Sequence, residues 1–374
     1  MWAGFIAHVG VMETAPRLGR RVVWGLIVLA VAAFAVGPVL LSHDVYSYVD
    51  YARLGVSHGL DPYVHPPSAA PADAAYGHVT WIGATSAYGP LFTLATYPLA
   101  WIPVSGAVAL LKAAAALSVL GIAVLVARTA VWRGVEPLRA IAFVALNPLV
   151  LVHVVGGGHN DAFTMLLAMS AVAALLSARK LTGGIALTAA IATKLSAAYL
   201  APFALLSTLP GLTGRKYAYM EGNRPVNGGW GPAARFLAGA LGAAAAIGLA
   251  AWLAFDWNWL HGFGLAAENQ SRTSHLSLPT TVARLTGLEP GTTRLLAALA
   301  FAALVGRLLV WTWRGGDWVR AAAWAGFALL LATAWLLPWY LIWALPLVAI
   351  SRDRPLQVCT LALTAYQLGA RIPL

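Results

Sequence analysis

Long apolar runs joined by short polar connectors make up most of this chain. They cover residues 22–41, 105–127, 139–155, 161–178, 183–207, 234–255, 292–312, 318–337, 339–350 and 355–370. Several reach the roughly 20 residues that a helix needs to cross a bilayer. In lipid each backbone N–H and C=O must be satisfied within its own segment, so the runs are read as helices. Three polar stretches, 42–90, 208–233 and 256–291, interrupt the alternation. The pattern predicts an all-α polytopic membrane protein, a single integral domain over residues 1–374. It has about 10–11 transmembrane or re-entrant helices, and its first external loop carries juxtamembrane helices.

Composition agrees. The chain is 60% hydrophobic and 10% charged, whereas a soluble domain carries about a quarter charged residues. A net charge of +11 suggests nucleic acid until the basic residues are located. They fall in the connectors, where the positive-inside rule puts them, so membrane lipids are expected as partners and nucleic acid is not. Cys359 stands alone, which excludes a disulfide framework or a zinc set. P-loop, EF-hand and HExxH spacings are all missing. No cofactor and no metal site is predicted.

Charge also orders the topology. Arg17, Arg20 and Arg21 precede the first run, which is longer than a signal-peptide core and reads as a retained span. The N-terminus is then cytoplasmic, in a multi-pass plasma-membrane protein. Residues 42–90 lie outside, Arg128, Arg133 and Arg139 inside, "GGGHND" outside, and Arg179 and Lys180 inside. A single plain span over 183–207 would put Arg215, Lys216 and Arg224 outside, against the rule. Lys194, mid-run in "LTAAIATKLSAAYLAPF", resolves this. A charge there costs about 2.5–3.5 kcal/mol on insertion scales. Two short helices meeting near Lys194, dipping toward the outer side and returning, place it in a polar cavity. "WLLPWYLIWALP" carries a second break at its Pro. On this map most acids and histidines face outward, and so does any chemistry.

Five clusters are candidates. In "DVYSYVDYARLGVSHG" an amphipathic helix stopped by Gly59 puts Asp44, Tyr48 and Tyr51 on one face, at i, i+4 and i+7. Asp44 is either a helix cap or a reactive carboxylate, and one residue can be both. Asp50 and Arg53 read as a surface ion pair, and Tyr46 as an interfacial tyrosine. In "VVGGGHNDAF" His159, Asn160 and Asp161 open a membrane helix, where free N–H groups favour an anion or a polar ligand. Asp161 alone also suits an N-cap. In "ENQSRTSHLSLP" Arg272 and His275 suit a phosphate, which an Arg fork grips at two points; the alternative is a solvated loop. Tyr88 lies in "AYGPLF", a turn re-entering the bilayer, and Trp339 and Tyr340 in "LPWYLIW" either stack on a sugar ring or anchor the interface.

Together these describe an outer-face cavity suited to a lipid-phosphate sugar donor. Arg272, Lys194, His159 and His275 are the candidate phosphate partners. Tyr48, Tyr51, Asn160, Asp161, Tyr88, Trp339 and Tyr340 are the candidate sugar or acceptor contacts. Asp44 is the candidate general base, taking the proton of the acceptor hydroxyl as it attacks the anomeric carbon. The stretches "SHDVYSY", "GLDPY", "AYGPLF", "NPLVLVHVVGGGHNDA", "TKLSAAYLAPF" and "LLPWYLIWALP" then show a resemblance. The carboxylate after the first span resembles the GT-C superfamily of membrane glycosyltransferases. The six stretches in order resemble the actinobacterial polyprenyl-phosphate-mannose-dependent α-(1→6)-mannosyltransferases, which build the mannan backbone of lipomannan. The resemblance implies an inverting, metal-independent transfer of mannose from a polyprenyl-phosphate donor to a glycan or glycolipid acceptor. It also implies that Asp44 is the base, that His159 to Asp161 form the second motif, and that Lys194 is the helix-break lysine. This chain looks shorter than typical members. The competing readings are a transporter or flippase for a sugar or lipid-linked intermediate, and an inactive subunit of an envelope-synthesis complex. A transporter of this kind would show inverted repeats, and none is visible.

Overall fold

Proline, glycine and capping acids divide the apolar runs into helices. The computed structural model describes residues 2–209 and 231–369, and the basic loop expected around Arg215, Lys216 and Arg224 lies outside the described residues. The chain opens with α1 (Trp2–Val36), whose helix is interrupted at Gly19 (φ 77°, ψ 165°). It begins well before the expected start at residue 22 and ends at Val36 rather than 41. Gly37 and Pro38 follow, and the residue before a proline is disfavoured in helical geometry. Then come α2 (Asp44–His58), α3 (Pro90–Thr96), α4 (Val104–Trp132) and α5 (Pro137–Ala145). A turn of π-helix over Val150–Val155 leads into α6 (Asp161–Leu176), followed by α7 (Lys180–Thr193) and α8 (Ala201–Leu206). The second half holds α9 (Gly231–Phe255), α10 (Trp259–Glu268), α11 (Leu278–Thr286), α12 (Pro290–Trp313), α13 (Trp318–Ala332), α14 (Leu345–Ile350) and α15 (Arg354–Gly369).

The protein is an all-α polytopic membrane protein. Four described helices, α1, α4, α9 and α12, are long and apolar enough to cross a bilayer, and shorter apolar helices fill the space between them. Helix starts follow the capping rule that an acid or hydroxyl accepts from the free N–H groups of the first turn. Glu136 caps α5 and Asp317 caps α13 in this way, Ser277 caps α11 and Glu289 caps α12.

Two breaks shape the interior. The run 183–207 stops as α-helix at Thr193, Lys194 is extended (φ −159°, ψ 128°), and a 3-10 turn leads into α8. The second break is longer than its proline implied. α13 ends at Ala332, residues 333–337 are irregular, and a 3-10 turn over Pro338–Trp343 precedes α14.

α4 is 29 residues long. At its start Ala107, Val108 and Leu111 pack with Val45, Tyr48 and Val49 of α2. Its other end carries Arg133, which is buried. Arg133 donates to the Ile350 carbonyl at 2.7 Å and pairs with Asp317. Nearby, Arg320 and the Trp324 indole both donate to Asp353, at 2.7 and 2.8 Å. This network ties the basic connectors together at the far end of α4, about 39 Å along the helix from Ala107 at 1.5 Å per residue.

The α7–α9 contact uses small residues, as expected where two helices have no hydrophobic drive to associate and must gain by close packing. A Cβ on Gly184 would run into the Phe236 carbonyl, and one on Gly239 into the Leu181 carbonyl. Gly184→Val is expected to destabilise by about 1–3 kcal/mol, the range for overpacking. A lowered thermal midpoint in detergent checks this, with exposed Gly242→Ala, which meets no neighbour, as the control.

Candidate active site

The segment that delivers Asp44 is held from below. Lys112, buried in α4, donates to the carbonyl of Gly37 and, at 2.9 Å, to that of Pro38. The Leu40 N–H donates to the Gly156 carbonyl at 3.2 Å, and Leu41 is left-handed at φ 61°. Such a conformation costs roughly 1–3 kcal/mol and persists only where the surroundings impose it. The glycine triplet makes room for this docking. Gly158 is left-handed at φ 65°, and a side chain there would press on Val45 and Lys112.

Asp44 is the first residue of α2, yet its carboxylate does not serve as a cap. Its Oδ1 accepts from the Trp81 indole N–H at 3.2 Å, and its Oδ2 lies 3.7 Å from His159 Nδ1. Burial pushes this carboxyl above the usual aspartate range, and the Trp81 hydrogen bond and the Lys194 charge only partly oppose it. Removing a charged carboxylate from water disfavours its ionised form, which makes Asp44 a stronger base than a surface aspartate.

Asp44 opens onto a cavity of about 550 Å³. Of the residues singled out in the sequence, Tyr51, Tyr88, Lys194, Arg272, Trp339 and Tyr340 line it as well. The others stand elsewhere. Tyr48 is buried behind the wall, its hydroxyl 3.4 Å from the Asn160 N–H; on α2 it is Ser47, three residues after Asp44, that faces the cavity. His159, Asn160 and Asp161 are also fully buried behind the lining. His159 stacks on Trp339 with centroids 3.9 Å apart. His275 is exposed and is not among the lining residues. Arg53, expected beside Asp50, instead reaches Asp73 at 2.7 Å, as does His58. The loop after α2 folds back over the helix and brings a better-oriented carboxylate.

Lys194 shares its ammonium among fixed acceptors. It donates to both Asp161 oxygens at 2.8 Å and to Asn160 Oδ1 at 3.3 Å. The Trp343 indole donates to Asp161 at 2.6 Å. Gly89 sits against the same break: its N–H donates to the Thr193 carbonyl at 3.1 Å, and a Cβ there would collide with the Ala192 carbonyl. The "AYGPLF" turn is thereby fixed onto the end of α7.

Arg272 is held differently. Its guanidinium lies 5.0 Å from the Trp81 ring and 5.4 Å from the Trp335 ring, and among the described residues it forms no ion pair. Cation–π contact leaves its N–H fork available to an anion. Several buried polar groups around the cavity also have no hydrogen-bond partner among the described residues, including Ser47 Oγ, Ser196 Oγ and Asn160 Nδ2. Away from this polar end the lining turns apolar, with Pro202 of α8, Ala298, Phe301 and Val305 of α12 and Leu329 of α13. Sequence reasoning passed over Trp81, Trp335 and Ser47, although Ser47 lies in "DVYSYVDYARLGVSHG" and Trp335 opens "WLLPWYLIWALP". No group of three or more metal-ligating side chains forms among the described residues.

A family model described as alpha-(1->6)-mannopyranosyltransferase, N-terminal domain, matches residues 1–210, more than half of the chain. The chain belongs to this family. A second model, the MptB C-terminal domain, matches residues 277–368 of this family member. The alpha-(1->6)-mannopyranosyltransferase A of Mycobacterium tuberculosis is 30% identical over 379 residues, covering 93% of this chain and 70% of that protein. The alpha-(1->6)-mannopyranosyltransferase A of Corynebacterium glutamicum is 29% identical over 171 residues, 44% of this chain and 34% of that protein. No solved structure matches the chain. Asp44, Trp81, Asp161 and Lys194 lie within the first family match and Trp335, Trp339 and Tyr340 within the second, while Arg272 falls between the two.

Breaking a buried ion pair from one side leaves an uncompensated charge, at about 3–5 kcal/mol. Lys194→Met is therefore expected to lower the thermal midpoint sharply by stranding Asp161. The double variant Asp161→Asn/Lys194→Met is expected to recover part of that loss in the same detergent melts.

Proposed function

We propose that this protein transfers mannose from a polyprenyl-phosphate donor to a glycan or glycolipid acceptor, at the outer face of the plasma membrane and with inversion. Family membership supports a membrane mannosyltransferase, and the names of the relatives carry the sugar and the α-(1→6) linkage. The donor class rests on one observation: the cavity grades from a polar end holding Asp44 and Arg272 to an apolar end between α8, α12 and α13. That gradient matches a ligand with a charged sugar-phosphate head and an isoprenoid tail. The outward orientation is supported by the basic network around Arg133 and Arg320 at the far end of α4, given the positive-inside rule.

In this mechanism the acceptor hydroxyl lies against Asp44, which takes its proton as the oxygen attacks the anomeric carbon. The bond between that carbon and the phosphate oxygen breaks on the opposite face, and its electron pair leaves with the prenyl phosphate. A single displacement inverts the centre. Arg272 pairs with the departing phosphate, and Lys194, already neutralised by Asp161, adds less. Preorganised positive charge where negative charge develops is the larger catalytic contribution in such sites. Trp339 and Tyr340 provide flat faces for a sugar, and Tyr51 and Tyr88 close the side next to α2.

The direct test is transfer of labelled mannose from polyprenyl-phosphate mannose to a short mannoside by purified protein. Asp44→Asn, folded as judged by its melting curve, is expected to be at least about a hundredfold slower, the scale of general base catalysis. Equal rates would remove Asp44 from the chemistry. The wild-type rate is expected to fall on the acid side as pH drops through the raised Asp44 pKa, above the range of an ordinary aspartate, because only the ionised carboxylate accepts the proton. A rate that stays flat down to ordinary aspartate values would contradict this.

A further inference from the structure

We infer that Trp81 is a positioning residue, its ring edge orienting the base Asp44 while its face holds the donor-binding Arg272. This rests on the mechanism proposed above and deepens it.

The indole is used twice. Its N–H donates to Asp44 Oδ1 at 3.2 Å, and its π face receives the Arg272 guanidinium at 5.0 Å. Trp335 meets Trp81 edge to face, centroids 5.9 Å apart at 90°, and covers the same guanidinium at 5.4 Å. The two carboxylate oxygens of Asp44 therefore have different neighbours. Oδ1 is engaged by Trp81, whereas Oδ2 lies 3.7 Å from His159 Nδ1, beyond hydrogen-bond distance. Among the described residues the Arg272 guanidinium meanwhile meets ring faces and no carboxylate, so its N–H donors remain for an anion.

The supporting loops make this arrangement stiff. The Ala84 N–H donates to the Trp81 carbonyl at 3.0 Å, and the Tyr51 hydroxyl of α2 donates to the Ala84 carbonyl at 2.8 Å. Ser86 N–H closes the loop on the Pro62 carbonyl at 2.8 Å. On the other side, the Ser274 N–H donates to the Ala334 carbonyl at 2.9 Å, fixing the Arg272 loop to the stretch that carries Trp335. Trp81 is thus anchored to the helix that bears the base, and Arg272 to the break between α13 and α14. The base and the phosphate partner share one rigid side chain, so that donor binding and base orientation are coupled through it.

Edge and face separate by substitution. Trp81→Phe keeps a π face and loses the N–H; Trp81→Leu loses both; Trp335→Leu loses one face and leaves the N–H. Two readouts are taken on variants that melt like wild type: binding of a short prenyl phosphate, and the pH profile of kcat/KM for mannose transfer. Trp81→Phe is expected to bind prenyl phosphate within about twofold of wild type, with the acid limb moved to higher pH, since the lost donor had favoured the ionised carboxylate. Trp335→Leu is expected to weaken prenyl phosphate binding about two- to thirtyfold, the range of a cation–π contact, with the acid limb unmoved. Trp81→Leu is expected to show both changes. An unmoved acid limb in Trp81→Phe would overturn the edge role, and unchanged binding in Trp335→Leu and Trp81→Leu the face role. A wild type that binds prenyl phosphate but transfers no mannose would sink the transfer reading, while the binding arm still decides the face role. A wild type that does neither would overturn both.

Discussion

A buried ion pair sets the geometry on which the rest of the cavity depends. Asp161 begins α6 fully out of water, and Lys194 ends α7 with both Asp161 oxygens at 2.8 Å. Neither charge is tolerable at that depth without the other. The lysine reaches the aspartate only because the helix stops at Thr193 and the backbone turns extended. The broken helix is thus a consequence of the charge pair as much as a setting for it. Non-helical backbone at membrane depth survives only where protein or a polar cavity satisfies it. Here the Gly89 N–H accepts that duty by donating to the Thr193 carbonyl.

The same pair distributes the positive charge of the site. Lys194 is neutralised, so among the described residues lining the cavity the cation left for a ligand is Arg272, held against two indoles rather than a carboxylate. A guanidinium suits this better than an ammonium, being planar, weakly hydrated and able to stack while its fork stays open. Asp44 has a parallel arrangement. Burial strengthens it as a base, and the Trp81 indole N–H supplies a hydrogen bond to its carboxylate. In the proposed reaction these two groups face the two ends of the bond being exchanged.

Glycine and strained backbone supply the close approaches that such a site needs. Gly158 lets the loop before α6 lie on Val45 and Lys112, and Lys112 in turn holds the carbonyls that end α1. The turn through Leu41 then presents Asp44 at the cavity wall rather than in the helix-capping position that its place in the chain allows.

The amino-acid sequence by itself determined the all-α polytopic class, the break at Lys194, the stop of α2 at Gly59 and the segregation of basic residues into connectors. Each follows from local physics: apolar runs need internal hydrogen bonding in lipid, a mid-run charge needs a partner, and glycine takes left-handed conformations without strain. It also named seven of the residues that line the cavity, because acids, cations and aromatics at the ends of apolar runs are conspicuous. Only the tertiary structure decided which of the named residues face inward. Tyr48 shares the helix face expected of it but is turned against Asn160, Ser47 lines the cavity instead, and His275 points to solvent. Trp81 and Trp335 went unnamed because their loops are placed by backbone hydrogen bonds between distant residues, Ser86 N–H to the Pro62 carbonyl and Ser274 N–H to the Ala334 carbonyl, which no periodicity or residue type records. Arg53 found Asp73, twenty residues away, for the same reason: a returning loop outcompetes a neighbour on the same helix, and chain return is a property of the folded whole.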